Sequence, residues 1–150
     1  MNFENSGKQI TKDEIKQIEQ ELGIKIPDSL VEHYLKHNGG IPEKPFFYYE
    51  ETDNEIEVQL FSPIKHKLDG RTVEEKYRLF KEKSDFMCNY LTFANDYGAN
   101  QICVDLNSGK VCIIYLDMGE IKDECMAFLA NDFNGFISGL SENSIDDEDE

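Results

Sequence analysis

The segment from Gly23 to Gly40, GIKIPDSLVEHYLKHNGG, constrains the fold of this chain more than any other. Pro27 is favourable only in the first turn of a helix, and Asn and Gly tolerate the left-handed backbone conformation that ends one. Between these limits an apolar stripe follows helical spacing, formed by Leu30, Val31, Tyr34 and Leu35. The segment predicts one short amphipathic helix that begins beside Pro27 and ends at Asn38-Gly39-Gly40.

Three other helices carry comparable signals. Thr11 and Glu14 form a T-x-x-E capping box, Ile10 and Ile15 are spaced as a hydrophobic staple, and Gly23 supplies the stop of a first helix. Residues 72–83 predict a third helix with charges on one side and an apolar side made of Val73, Tyr77 and Phe80. The segment NDFNGFISGL predicts a final helix whose inward residues are Phe133, Phe136, Ile137 and Leu140.

The remaining pattern is typical of β-strands. In EIEVQLF, Ile56, Val58 and Leu60 alternate with Glu55, Glu57 and Gln59, which predicts a strand with one acidic, solvated face. The segments YLTFAND, NQICVDL, KVCIIYLD and MAFLA predict further strands. We therefore expect a single α+β domain over residues 1–141, with a mainly antiparallel sheet and helices packed on one side. Residues 142–150, which end in five consecutive acids, predict a disordered acidic tail.

The four cysteines form no zinc-binding spacing. If Ser108-Gly109 is a two-residue hairpin turn, Val104 faces Ile113 and Asp105 faces Cys112, which leaves Cys103 opposite Ile114. On that register Cys103 and Cys112 are out of line for a disulfide. We expect four reduced thiols, mostly packed as small apolar residues.

The net charge of −16 limits the partners that the chain can bind. Residues 101–150 hold twelve Asp or Glu against only Lys110 and Lys122. Such a field repels phosphate backbones and attracts basic protein surfaces, although acidity alone also keeps a protein soluble. With no apolar run of membrane-spanning length and no apolar core of a signal peptide near the N-terminus, we expect a cytoplasmic protein without membrane contact.

Sequence motifs of enzymes are absent: there is no G-x-S-x-G, Walker loop, H-E-x-x-H or dinucleotide fingerprint. His33 and His37 have the i, i+4 spacing of metal ligands, but the residues between them include no Glu, so we expect a solvated helix face and no metal. Asp105 and Asp117 are a possible acid–base pair, for which solvated or turn-capping carboxylates are the simpler interpretation. The sequence predicts neither an enzyme nor a cofactor.

One stretch is typical of a protein-binding surface, the run FFYYEE at residues 46–51. Two of its four aromatic side chains would face inward in a strand and two outward. Aromatic rings beside acids are common at interface centres, but a core-filling edge strand explains the run equally well. The candidate partner contacts are Phe47, Tyr48, Tyr49, Glu50, Glu51, Glu55 and Glu57.

Several of these motifs together resemble the SUKH superfamily, also called the Smi/Knr family of cell-wall assembly regulators. The first block of the resemblance comprises Leu22, Gly23, Pro27, Tyr34, Leu35, Asn38, Gly39 and Gly40. The second comprises Phe93, Ala94, Asp96, Gly98, Asp105, Gly109 and Val111, and the closing helix adds Ala130, Phe133, Phe136 and Leu140. Most of these positions are structural in the family, so the resemblance implies a scaffold role for the segment from Gly23 to Gly40.

The resemblance implies an immunity protein that binds and neutralises a toxin used in bacterial competition, often a nuclease or deaminase. A toxin of that kind carries a basic cleft, which an acidic inhibitor complements. We expect a stoichiometric inhibitor that is a monomer or weak homodimer. The alternative is a regulatory adaptor without a toxin partner, and an enzyme, the third option, would need a ligand near Asp105 and Asp117.

Overall fold

A seven-stranded antiparallel sheet is the frame of the protein in the computed structural model, which describes residues 1–49, 53–68, 70–116 and 125–144. The helices are α1 (Lys12–Leu22), α2 (Asp28–Lys36), α3 (Val73–Lys83) and α4 (Phe133–Ser138), with a 3₁₀ helix at Asp85–Asn89. The strands are β1 (Phe3–Glu4), β2 (Ile41–Pro42), β3 (Phe46–Tyr49), β4 (Asn54–Phe61), β5 (Tyr90–Asp96), β6 (Gln101–Asp105), β7 (Val111–Ile114), β8 (Met126–Ala130) and β9 (Leu140–Ser141).

The strand order in the sheet is β8-β7-β6-β5-β4-β3-β9, and β1 pairs separately with β2. From β3 to β8 each strand pairs with the next one along the chain, so the sheet is a meander. Only β9 departs from this order, because it returns to pair with β3 at the far edge. The predicted α+β class, with a mainly antiparallel sheet and helices on one side, is confirmed. Within the described residues no helix is long and apolar enough to cross a membrane.

Helix boundaries follow the predicted capping chemistry at α1. The Thr11 side chain accepts a hydrogen bond from the Glu14 amide, and the Glu14 carboxylate accepts one from the Thr11 amide. Ile10 and Ile15 are both buried, and Gly23 ends the helix with φ +69°. An equivalent capping box at Thr72 and Glu75, which was not among the predictions, begins α3.

The end of α2 differs from the prediction. The helix ends at Lys36, and His37 already has an extended backbone, so Asn38 does not take the left-handed conformation assigned to it. Asn38 is buried, and its side-chain amide donates to the carbonyls of Lys8 and Ile64 while its oxygen accepts from the Ile64 amide. The residue therefore ties three chain segments together.

Gly39 and Gly40 do have positive φ, +79° and +113°. A Cβ atom at Gly39 would lie 2.8 Å from the Phe61 carbonyl oxygen and 2.8 Å from the Pro63 nitrogen. Tyr34, which is fully buried, donates its hydroxyl hydrogen to the Ser62 carbonyl at 2.7 Å. Together with Asn38, these residues fix the turn after α2 against the chain that follows β4, which supports their scaffold role.

Three details of the predicted strands are wrong. A bulge between Val58 and Leu60 shifts the alternation of β4, so Phe61 is fully buried and Leu60 only partly. In the β6–β7 hairpin Cys103 faces Cys112, because the connecting loop is longer than two residues and shifts the register. The third is a strand that was not predicted: Leu140, expected as an inward residue of the final helix, is buried but lies in β9, since α4 ends at Ser138.

Most of the core is one cluster between the sheet and the helices, and β6 and β7 are buried on both faces. A smaller cluster contains Phe80, Met87 and Ile114 with three of the four cysteines, which confirms that the thiols pack mostly as apolar residues. The predicted charged side of α3 is partly wrong, since Glu74 and Lys76 are buried. The predicted tail at 142–150 lies mostly outside the described residues, from 145 onward.

Candidate protein-binding cleft

The aromatic run of residues 46–49 forms β3, which lies between β4 and β9 and is not an edge strand. The predicted division of its side chains is confirmed: Phe47 and Tyr49 are buried, and Phe46 and Tyr48 are partly exposed. Phe47, which was one of the candidate partner contacts, is instead a core residue. Its ring packs against that of Phe136 at a centroid distance of 4.9 Å.

The other candidate contacts have different surroundings. The Tyr48 hydroxyl donates to the Asp53 carboxylate at 2.6 Å, and the Tyr49 hydroxyl pairs with that of Tyr115 at 2.5 Å. Glu55 and Glu57 project from β4, Glu55 partly exposed and Glu57 exposed. Glu50 and Glu51 lie outside the described residues. A binding role for these residues remains a prediction.

A cleft of about 460 Å³ opens where the β3–β4 hairpin meets the β5–β6 turn and the residue that follows β7. Its lining residues are Tyr49, Asn54, Glu55, Ile56, Glu57, Asp96, Tyr97, Gly98 and Tyr115. The cleft therefore contains three of the predicted contacts, Tyr49, Glu55 and Glu57, and joins them to residues far away in the sequence.

The chemical character of the lining is uniform. The lining residues that the structure describes include three carboxylates and three tyrosines and not one basic residue. The carboxylates of the lining therefore give this open cleft a negative field. The arrangement suits a positively charged group that also has a flat or apolar part, since tyrosine rings attract cations over their faces.

One side of the cleft is a hydrogen-bonded turn that was not among the predicted binding residues. One Asp96 carboxylate oxygen accepts hydrogen bonds from the amides of Gly98 and Asn100, each at 2.9 Å, and the other accepts from the Asn100 side chain at 3.2 Å. Ala99 has φ +64° within this turn. Tyr97 projects from it with 63% of its surface exposed. The signal that could have identified Tyr97 as a binding residue is a tyrosine in a short turn next to an acidic strand.

The remaining family-motif residues have structural roles. Phe93 is fully buried and contacts Phe133 edge to face at 5.3 Å. Gly109 has φ +80° in the β6–β7 loop. The Asp105 carboxylate caps the same loop by accepting from the Asn107 amide at 2.8 Å. Asp105 therefore caps a turn, as the simpler interpretation predicted. Asp117, the other member of the possible acid–base pair, lies outside the described residues.

One of the two histidines near the end of α2, His33, is not on a solvated face, which corrects part of the prediction. His33 lies against the rings of Phe3, Phe61 and Phe133, at centroid distances of 5.0, 5.6 and 5.1 Å. Burial, with smaller contributions from His37 and Lys36, lowers the pKa of His33 to about 4. Across the described ranges no three His, Cys, Asp or Glu side chains are arranged to hold a metal ion.

Other buried titratable groups do not line the cleft. Burial lowers the pKa of Lys76 to about 8, and its ammonium group lies 3.4 Å from the Asn95 side-chain oxygen. Burial raises the pKa of Cys103 to about 12 and raises that of Cys112 as well, so both thiols are protonated near neutral pH.

Comparison with known proteins places the sequence and its motifs in one family. The SPbeta prophage-derived uncharacterized protein YokK of Bacillus subtilis (strain 168) is 23% identical over an alignment 158 residues long. The alignment covers 93% of this chain and 79% of YokK. The model of the SMI1 / KNR4 family (SUKH-1) matches residues 9–139. That match contains both motif blocks and most of the closing helix, and it extends over far more than half of the sequence. The chain belongs to the SMI1 / KNR4 family (SUKH-1).

Proposed function

We propose that this protein is an immunity protein, which binds and neutralises a cognate bacterial toxin with a basic surface. The observation that carries the proposal is the cleft, whose lining within the described ranges has three carboxylates, three tyrosines and no basic residue. Family membership supports it, because the SUKH resemblance implies this role for many bacterial members. The prophage origin given for YokK also fits a role in competition better than one in housekeeping.

The charge of the protein favours one class of toxin. A net charge of −16 repels nucleic acid but complements enzymes that bind nucleic acid, because their active sites are basic. An inhibitor that covers such an active site competes with the negatively charged substrate for the same surface. We therefore propose a toxin that acts on nucleic acid and a one-to-one complex in which the immunity protein has no turnover of its own.

The experiment mixes the purified protein with the product of the gene next to its own, tested as the toxin, and follows binding rates and toxin activity. Replacing Glu55 and Glu57 by Lys should slow association, because these charges act on approach, and raising the salt concentration should slow association of the unchanged protein. The matched control replaces Glu32 and Glu82, which are exposed on α2 and α3 and do not line the cleft, and changes the net charge equally.

Truncation of Tyr48 to Ala should mainly speed dissociation if this partly exposed ring is a contact. Inhibition should reach completion at one equivalent of the protein. Absence of a complex at micromolar concentrations, or a complex in which the toxin stays fully active, would refute the immunity role and favour the adaptor alternative.

A further inference from the structure

A groove lies between α1 and α2, in a part of the chain that the structure describes without a gap. Its volume is about 280 Å³, and a recess of about 520 Å³ adjoins it near the loop that joins the two helices. The groove is lined by Lys12, Ile15, Lys16, Glu19, Lys25, Asp28, Val31, Glu32 and Leu35. The described lining of the acidic cleft shares none of these residues, so the two surfaces are distinct.

The apolar residues of the groove belong to the edge of the core. Ile15 is buried, and Val31 and Leu35 are partly buried and pack against the main core cluster. Ile24, which lines the adjoining recess, packs in the same way. A protein surface that covered the groove would remove the remaining apolar area from water, which favours association.

The charged residues differ between the two sides of the groove. On α1 the exposed charges are Lys12 and Lys16, one helical turn apart. On α2 they are Asp28 and Glu32, also one turn apart. Glu19 does not change this division, because only 14% of its side chain is exposed and its carboxylate accepts a backbone hydrogen bond at 2.7 Å. The groove therefore has a basic side and an acidic side.

Part of this charge is not neutralised within the described residues. Lys25, in the loop between the helices, pairs with Asp28 at 3.3 Å. In contrast, no ion pair of the described chain includes Lys12, Lys16 or Glu32. The like charges of Lys12 and Lys16 are four positions apart on one helix, an arrangement that slightly destabilises it. A contact that supplied a carboxylate to α1 and an ammonium group to α2 would compensate both sides.

The balance of charge favours a second copy of the chain as the partner. The lining has three basic and three acidic residues, so it gives no net attraction to a strongly basic or strongly acidic protein. Two copies with a net charge of −16 each repel one another, and a face without net charge is where they approach at low electrostatic cost. A two-fold axis along the groove also places the basic side of one copy on the acidic side of the other.

We propose that this groove is the contact surface of a weak homodimer in which Lys16 of each copy pairs with Glu32 of the other. Residues of a two-fold interface meet reciprocally, so the ion pair forms twice. The apolar linings are buried against each other, and the ion pairs fix the relative orientation of the copies. The dimer goes beyond the proposed function and does not depend on it, because the acidic cleft is formed by other residues.

The first test is the oligomeric state of the full chain. A weak interface requires high protein concentration, so sedimentation velocity is measured from about 10 to 500 μM. We expect a monomer at the low end, a growing fraction of dimer at the high end, and no larger species, since a two-fold contact closes on itself. Amide shifts of the ¹⁵N-labelled chain should change with concentration mainly at residues 12–35. A monomer at every concentration, or growth beyond the dimer, would overturn the proposal.

Charge reversal tests the assigned pairing. Lys16→Glu or Glu32→Lys places like charges together at both symmetric contacts and should weaken dimerisation at least about tenfold. The double variant that carries both changes has the net charge of the parent and opposite charges at each contact. Its dissociation constant should return to within about threefold of the parent value.

The matched controls for the single reversals are Lys110→Glu and Glu82→Lys. Both residues are exposed outside the groove, and the two changes alter the net charge equally, so each should change dimerisation less than about twofold. Circular dichroism checks that all variants keep the fold of the parent. A dimer that the single reversals leave intact, or that the double variant does not restore, would refute the pairing of Lys16 with Glu32.

The outcome is independent of the toxin experiment. If the chain stays monomeric, this inference fails and the immunity role is unaffected. If the product of the neighbouring gene does not bind, the immunity role fails, and sedimentation of the chain alone still decides whether the dimer forms. Because Glu32 is also changed in the matched control for toxin binding, that control is measured below the concentration at which the parent dimerises.

Discussion

The turn after α2 and the acidic cleft differ in how their residues are held. In the turn, each polar atom of the Asn38 side chain is used within the protein, and backbone atoms occupy the space where a Gly39 side chain would lie. In the cleft, Glu57 and Tyr97 project toward solvent from a strand and a turn that would persist without them. The motif-rich segment from Gly23 to Gly40 therefore marks a region that is constrained by folding. The cleft is recognisable only by the residue types that line it, because these residues form no sequence motif.

The largest expected effect comes from Gly39→Ala, which tests the close packing of the turn. The new Cβ would meet backbone atoms of Phe61 and Pro63 and would also require positive φ, so we expect a loss of about 4 kcal/mol in the free energy of unfolding. Gly23→Ala is the matched control, because Gly23 has φ +69° but nothing within 4 Å of a Cβ, and should lose about 1 kcal/mol. Urea unfolding measures both, and equal losses would show that the contacts at Gly39 are unimportant.

Asn38→Ala should have the next largest effect, about 3 kcal/mol. The substitution removes three hydrogen bonds and leaves the amide of Ile64 and the carbonyls of Lys8 and Ile64 without those partners. Asn107→Ala in the exposed β6–β7 loop is the control and should change the free energy of unfolding by less than about 0.5 kcal/mol. A loss at Asn38 no larger than in this control would contradict its role as the tie between segments.

His33 makes the same region sensitive to acid. Its pKa is about 4 in the folded protein against 6.5 as the reference value, so the unfolded chain binds more protons between these limits and stability is lost as the pH falls from 6.5 toward 4. Between pH 7 and pH 5 this loss should be about 2 kcal/mol.

His33→Gln should remove that part of the pH dependence, as measured by urea unfolding at pH 7 and pH 5. His37, whose pKa burial also lowers, gives a comparison within the same turn, and His37→Gln should have a smaller effect. Glu14 does not affect the comparison between pH 7 and pH 5. Its hydrogen bond with Lys65 lowers its pKa to about 2, so the stability that its ionised form adds is lost only below about pH 4.5. An unchanged pH dependence in His33→Gln would refute the assignment.

In the cleft, Tyr97→Ala should change the free energy of unfolding by less than about 0.5 kcal/mol, because the turn is held by the Asp96 carboxylate and not by the ring. The same variant is expected to weaken partner binding, so stability and binding separate at this position. A loss of more than about 1.5 kcal/mol in urea unfolding would mean that the cleft, like the turn after α2, is part of the folding scaffold.

The smallest effect is expected from removal of residues 145–150, which should shift the melting temperature by less than about 1 °C. A charged segment buries little apolar surface, and this truncation retains Ser144 and its hydrogen bond to Glu55. A shift of several degrees in a thermal melt would indicate that the tail contributes to the stability of the domain.

Local features of the fold could be predicted from the sequence because their causes are local. The capping box at Thr11, the left-handed Gly23 and the alternation of Ile56 and Val58 depend on residues within one or two turns of each other. Long-range features could not be predicted in this way. The pairing of β9 with β3 joins residues more than ninety positions apart, and the hairpin register of Cys103 depended on a loop length that Ser108-Gly109 did not determine.

The candidate site was half predictable for the same reason. Glu55 and Glu57 were identified because acids alternate with apolar residues along one strand. Tyr97 and Tyr115 were not, because only the folded sheet brings the turn after β5 and the residue after β7 to the same cleft as Glu55 and Glu57. His33 was assigned to a solvated face because the aromatic rings that cover it come from β1, β4 and α4.

The position of β9 has a consequence for how the chain folds during synthesis. Phe46 and Phe47 of β3 pair with Ser141 and Leu140, so the sheet cannot be completed until nearly all of the domain has left the ribosome. Until then the aromatic strand lacks one neighbour, and its exposed backbone and rings are a surface on which nascent chains can associate. Release of the C-terminal strand, and not growth of the N-terminal helices, should therefore be the step at which a nascent chain becomes resistant to proteolysis.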